Sequence, residues 1–252
     1  MAKYRAISVI FSLYGFLVFL ILMLVLFPAV VFASFFGRVT GGNMIYTICR
    51  FWTNSAFLMW GIRYQPIFEA PVERGHPMVF VFNHVSYIDI PMWLKATEGN
   101  HIRVLGKAEM ARIPIFGYIY KEAAILVDRS NAAARAKSIR ELKFFLSKNI
   151  SVVIAPEGTF NMTSKPLGSF FDGAFRIAIE TQTPIKPVVF PDVQERLNHH
   201  SIFSLSPGKS RAIFLPEIPV TDYTIEDIQL LKQRTYTAME DALLRYKASW
   251  IK

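Results

Sequence analysis

The chain has 252 residues, 52% of them hydrophobic and 14% aromatic, which is enough for one sizeable core plus an appendage. A mean hydropathy of +0.31 points to lipid rather than to a freely soluble domain. The net charge is +9, and residues 1–63 carry five basic and no acidic side chains; with no zinc-finger spacing, RNP-type aromatic motif or basic repeat, this favours an anionic membrane surface and argues against nucleic acid.

From Ala6 to Gly37 the chain runs 32 residues without a charge, too long for a signal-peptide core and longer than the ~20 residues that span a bilayer. Pro28 falls late in that run and can kink or divide it. Thr40-Gly41-Gly42-Asn43 reads as a turn, and a second apolar, aromatic stretch follows from Met44 to Ile62. Residues 1–63 are therefore expected to form two membrane-embedded helices, with a globular domain over 64–252. A single span would separate Lys3 and Arg5 from Arg38, Arg50 and Arg63. A hairpin or one-leaflet arrangement keeps them together, which the positive-inside tendency favours. Cys49, the only cysteine, rules out an internal disulfide and reads as a packed thiol in a chain compatible with a reducing compartment.

Beyond Gln65, strands are predicted at Met78–Phe82, Arg103–Leu105, Ile125–Val127, Ser151–Ala155, Pro187–Phe190 and Arg211–Leu215. Helices are predicted at Ile88–Thr97, Asn131–Lys148, Asp172–Glu180 and Ile225–Trp250, the last opened by the capping box Thr224-x-x-Asp227. This alternation predicts an α/β fold, a mixed or mainly parallel sheet flanked by helices. His199-His200 lacks ordered metal spacing and reads as a solvated loop. Aromatics in Ile115–Tyr120 and Phe170–Phe175 could line an acyl tunnel, and are at least as well explained as core.

The chemistry concentrates where apolar strands run into polar loops. After Met78–Phe82 comes Asn83-His84-Val85-Ser86-Tyr87-Ile88-Asp89. On one regular helix His84 and Asp89 would point roughly 140° apart, at ~100° per residue. They can meet only if His84 lies in the loop and Asp89 in the first helical turn. The carboxylate could then hold one imidazole nitrogen and leave the other as a general base. A competing reading takes Ser86-x-x-Asp89 as a capping box, with Pro91 shifting the helix start towards Ile88–Ile90. Spacing alone does not choose between them. Ser151–Ala155 runs into Pro156-Glu157-Gly158-Thr159, where backbone N–H groups could face an anion or merely form a turn. Ile125–Asp128 ends at Arg129, suited to phosphate but also to a surface ion pair.

Taken in this order, the pieces resemble the glycerolipid acyltransferase family, whose best-known members are 1-acylglycerol-3-phosphate (lysophosphatidate) acyltransferases. Asn83 to Asp89 matches that family's Asn-His-x-Ser-x-x-Asp motif. Ile125–Arg129 looks like its second motif and Pro156-Glu157-Gly158-Thr159 like the core of its third. Pro184–Val189 is similar to its fourth, and Lys107 falls where the family often has a lysine. The resemblance covers about Pro77 to Phe190. It implies transfer of an acyl group from acyl-CoA or acyl-carrier protein to a lysolipid hydroxyl, with His84 as base and Asp89 as its orienting carboxylate. It further implies substrate contacts from Asn83, Ser86, Lys107, Arg129, Glu157, Gly158 and Thr159. No metal or cofactor is implied, and the partners are membrane lipids, the lysolipid acceptor and the thioester donor. The protein is expected at a membrane with its catalytic domain facing the cytoplasm. One position departs from the pattern: where the family's third motif usually continues to an arginine for the acceptor's phosphate, this chain has Phe160. Phosphate binding would then fall to Arg129, Lys107, Lys165 or Arg176, or the acceptor would lack the phosphate.

Overall fold

A computed structural model describes residues 2–71, 75–128 and 131–251 of the chain. Seven strands form one sheet in the order β1-β7-β6-β2-β5-β3-β4. They are β1 (Ile62–Phe68), β2 (Val79–Phe82), β3 (Ile102–Lys107), β4 (Ile125–Val127), β5 (Ser151–Ile154), β6 (Ile185–Val189) and β7 (Gly208–Phe214). From β6 through β2, β5 and β3 to β4 every pairing is parallel. The β6–β7 junction is a short antiparallel pairing, and β1 lies parallel to β7, so these two run against the other five. The mixed sheet expected from the alternation is what forms. β2 and β5 are buried at every position, as strands covered on both faces must be.

All six predicted strands form. The seventh, β1, carries Arg63 and Pro66 and lies at the edge, half-exposed, which hides its pattern from hydropathy and is where a sheet tolerates proline. The expected boundary at 63/64 falls inside this strand. The remaining elements include α3 (Asp89–Ala96), α5 (Ala132–Ser147), α6 (Gly173–Thr181) and α8 (Ile228–Arg245), close to the predicted bounds. The Thr224–Asp227 capping box forms immediately before α8. Two short helices, α4 (Phe116–Ala123) and α7 (Val193–Arg196), have no counterpart in the sequence reading.

The N-terminal stretch folds as α1 (Ala2–Ser34), a turn of π-helix over Gly37–Gly41, and α2 (Gly42–Met59). Pro28 sits within α1 without ending it. The expectation of two membrane helices needs correction. Among the described residues only Ala6–Ser34 is long and apolar enough to cross a membrane, with a mean hydropathy of 3.1 and 22% of its most apolar window buried. α2 instead buries Ile45, Tyr46, Thr53, Ala56 and Phe57. Its Arg50 donates to the carbonyls of Thr97 and Asn100 at 2.9 and 2.6 Å. Through this face α2 packs on the domain, while Phe51, Leu58 and Met59 remain exposed.

Candidate active site

The five co-directional strands bring their carboxyl ends to one edge of the sheet, where open α/β sheets build sites. The loop from Asn83 to Ile88 leaves β2 at that edge and turns into α3. His84 stays in the loop and Asp89 opens the helix, as the spacing required. His84 Nδ1 lies 2.9 Å from Asp89 Oδ2. The same oxygen accepts the backbone N–H groups of Val85 at 2.8 Å and Ser86 at 2.9 Å. One carboxylate thus serves both His84 and the loop backbone, while the full capping box does not form: Ser86 Oγ accepts from the Ile88 N–H, and the Asp89 N–H goes to the Ser86 carbonyl. The amides are fixed donors, so Oδ2 is an acceptor, and Nδ1 must present its proton to it. That tautomer leaves Nε2 with a free lone pair. Asp89 is fully buried, while the His84 side chain keeps 24% exposure.

Neighbouring residues hold this loop in place. The fully buried Asn83 spans to the residue after β6: its Oδ1 accepts the N–H of Phe190 at 2.7 Å, and its Nδ2 donates to the Phe190 carbonyl at 3.3 Å. Ser86 is also fully buried; its hydroxyl donates to the Leu197 carbonyl at 2.5 Å and accepts the Ile88 N–H at 3.1 Å. The polar groups of these two residues, which the resemblance assigns to substrate, here bond Phe190, Leu197 and Ile88. Glu157, from the turn after β5, is 4% exposed. Its two oxygens accept the N–H groups of His84 at 2.8 Å and Gly168 at 2.6 Å. Burial raises its pKa to about 7 against the pull of those two donors and of His84. Both oxygens of Glu157 thus tie the His84 loop and Gly168 to the β5 turn. Gly158 makes that turn at a φ of +69°, which favours glycine. Thr159 and Lys107 are exposed at the carboxyl edge, the latter ending β3. Arg129 lies outside the described residues. Of the alternative cations, Arg176 is 3.8 Å from Glu180 on its own helix, and Lys165 is exposed.

Several contributors escaped the sequence reading. The N–H of Asn161 donates to the His84 carbonyl at 2.7 Å, securing the loop from a third side. Phe160, identified only as a departure, sets its ring edge-on to His84 with centroids 4.4 Å apart, and to Tyr87 at 4.9 Å. His199 is not part of a merely solvated loop: its Nδ1 lies 3.1 Å from the Val85 carbonyl. Only fold-level adjacency reveals these contacts. The N–H groups of Val85, Ser86 and Ile88 are spent within the loop and that of His84 on Glu157, so none of these four is left to donate to a further oxygen. Phe170 and Phe175 are buried and stacked with centroids 6.0 Å apart, which makes them core.

The family model described as Acyltransferase matches residues 67–191, a stretch containing His84, Asp89 and Glu157, and the chain belongs to that family. It is 28% identical to an uncharacterised acyltransferase of Schizosaccharomyces pombe over 85% of this chain and 78% of that protein. It is 32% identical to the 1-acyl-sn-glycerol-3-phosphate acyltransferase of Cocos nucifera over 61% of this chain and 48% of that one. In fold it matches the crystal structure of the 1-acyl-sn-glycerophosphate acyltransferase PlsC from Thermotoga maritima, with a TM-score of 0.78, 20% identity and full coverage of both chains. The protein is thus an O-acyltransferase, and its likenesses are to the 1-acylglycerol-3-phosphate acyltransferase type.

Proposed function

We propose that the protein moves a fatty acyl group from acyl-CoA or acyl-carrier protein to the free hydroxyl of 1-acylglycerol 3-phosphate, giving phosphatidate. The observation that carries this reading is the His84–Asp89 pair, with Nδ1 held at 2.9 Å, which leaves Nε2 as the base. Nε2 takes the proton of the acceptor hydroxyl as its oxygen attacks the thioester carbonyl. The tetrahedral intermediate collapses, the C–S bond breaks, and the imidazolium returns the proton to the leaving thiolate. Asp89 stabilises the imidazolium, as in the Ser-His-Asp template but with the substrate oxygen as nucleophile. These residues suffice for the chemistry without a metal or prosthetic group. Lys107 and Arg129 are the proposed phosphate ligands.

The protein is further proposed to embed in one leaflet rather than to span. α1 is fastened to the rest of the chain near both ends: the Ser8 hydroxyl donates to the Phe203 carbonyl at 2.9 Å, and Ser34 Oγ lies 2.8 Å from Tyr118 Oη. At 1.5 Å per residue those points are roughly 39 Å apart, more than the ~30 Å of hydrocarbon. An upright α1 would drag folded domain through the bilayer core. A helix lying in the interface avoids that.

One observation favours a second acceptor class: the Phe160 ring fills the space beside His84, where a cation would otherwise attract phosphate. The deciding experiment offers a panel of lyso-acceptors and one labelled acyl thioester to purified, detergent-solubilised protein. Preference for lysophosphatidate supports the leading reading, and preference for an acceptor without a terminal phosphate moves the substrate but keeps the chemistry. His84→Ala should lower transfer ~10²–10⁴-fold in folded protein. Appreciable activity in that variant would remove the general-base role.

A further inference from the structure

The chain between α7 and β7 connects two parts of the molecule. At one end it braces the catalytic loop: the Leu197 carbonyl accepts from Ser86 Oγ, and His199 Nδ1 meets the Val85 carbonyl. At the other end it is fastened to α1. Besides the Ser8–Phe203 bond, the Leu205 N–H donates to Ser12 Oγ at 3.0 Å. The Leu205 side chain also packs on Gly15 so closely that a Cβ there would collide with it. Internal bonds stiffen the tip: Asn198 N–H to Ser204 Oγ at 2.7 Å, Ser204 Oγ to the Ser201 carbonyl at 2.6 Å, and Phe203 N–H to Ser201 Oγ at 3.2 Å. Yet this braced tip presents Ile202 and Phe203 outward, 64% and 44% exposed. A rigid loop that shows two large apolar side chains to water, while its own buried Leu205 anchors it, calls for an occupant on the outer side.

We propose that Ile202 and Phe203 enter the lipid beside α1, making this loop a second membrane-contacting element that sets the depth of His84. The occupant is a lipid bilayer because the patch continues a surface of that chemistry. On the same stretch of α1, around the helix from the face that holds the loop, Ile7 and Ile10 are 56% and 67% exposed. The bond Ser8 donates to Phe203 and the one Ser12 accepts from Leu205 fix the loop against that stretch. The same loop touches Ser86 and Val85, so its insertion aligns the catalytic loop with the interface from which a lysolipid must present its hydroxyl. This inference rests on the one-leaflet reading above.

The test uses the full chain in a Cys49→Ala background, carrying an environment-sensitive fluorophore at Phe203→Cys, Ile10→Cys or Gln233→Cys. Vesicles of phosphatidylcholine and phosphatidylglycerol contain nitroxide-labelled lipid. Quenching at 203 and 10, with none at 233, is the expected result. Quenching at 10 but not at 203 overturns the proposal and leaves the embedding of α1 intact. Quenching at neither removes the embedding itself, and this proposal with it. In parallel, joint Ile202→Ser and Phe203→Ser should weaken vesicle binding roughly tenfold or more. Transfer to a vesicle-borne acceptor should fall alongside, while transfer to a short-chain, water-soluble acceptor stays unchanged. Equal loss towards both acceptors would mark a damaged active site and count against a lipid-contacting role.

Discussion

At the scale of residues, the site is organised by carboxylates that accept backbone donors. Asp89 Oδ2 gathers three N–H groups from its own loop, and Glu157 joins that loop to the next strand's turn. The spacing of His84 and Asp89 allowed the first arrangement, and the motif running from Asn83 to Asp89 singled it out. The second was not legible in the sequence, because it depends on β2 and β5 being neighbours, which motif spacing does not encode. Glu157 also makes stability depend on pH. Its folded pKa of about 7 stands above the ordinary carboxylate value of 4.5, so between the two the folded state holds a proton that the unfolded state has lost. Stability is then greatest below the unfolded value and falls as pH rises through about 7, by up to about 3 kcal/mol. Glu157→Gln should flatten that slope in thermal midpoints measured across the window, and an unchanged slope would assign the pH dependence elsewhere. The variant also loses one of two acceptors, so a slackened His84 loop should lower kcat. Phe160 offers a separate reading of specificity. Replacement by arginine puts a bidentate cation where an aromatic edge now meets His84, and a charge-assisted hydrogen bond is worth about 1.5–3 kcal/mol. Phe160→Arg should raise kcat/KM for lysophosphatidate relative to an acceptor lacking the phosphate by roughly 10–100-fold. No change in that ratio would show that Phe160 does not govern acceptor choice.

At the scale of elements, the join between the N-terminal helices and the sheet depends on one buried cation. Arg103, on β3, is 1% exposed and faces carbonyls rather than a carboxylate. Its guanidinium donates to the carbonyls of Arg38 and Val39 at 2.6 and 2.9 Å and to Asn43 Oδ1 at 3.0 Å, fixing the turn between α1 and α2. The ring of Phe145 on α5 lies 4.8 Å below it. Burial lowers the Arg103 pKa to about 10, far enough above neutrality to keep the charge. Arg103→Met leaves those carbonyls without donors and should cost about 2–3 kcal/mol. That corresponds to a fall of roughly 5–10 °C in thermal midpoint for a chain of this size. Arg103→Lys, a point charge without the planar fork, should recover only part of it. A midpoint unmoved by Arg103→Met would show that the turn holds by packing alone. The sequence reading placed an ordinary short strand here and missed this contact, because a single arginine in an apolar run carries no sign of what it caps. It missed β1 for a related reason: an edge strand with Arg63 and Pro66 earns its place through its pairing with β7, 146 positions away between Ile62 and Gly208.

At the scale of the whole molecule, α1 decides how the enzyme meets its substrate. Hydropathy alone left open a span or a one-leaflet arrangement, because length and composition satisfy both. The Ser8 and Ser34 contacts support the one-leaflet proposal, since they tie the helix to the domain near both ends. Under the one-leaflet proposal, Arg38 and Arg63 stay on the side of the catalytic domain, where anionic head groups can meet them. Arg38 already has one carboxylate partner there, Glu141 at 3.0 Å. The arrangement is checked in sealed vesicles, with a protease-cleavable tag placed before Met1 and a cysteine introduced at Thr40 in the Cys49→Ala background. A one-leaflet enzyme should expose both sites to external protease and to a membrane-impermeant maleimide on the face where Gln233→Cys is also labelled. A spanning α1 would protect the tag whenever position 40 is accessible. That outcome would require the contacts at Phe203 or Tyr118 to break in the membrane, and with them the link between lipid depth and the His84 loop.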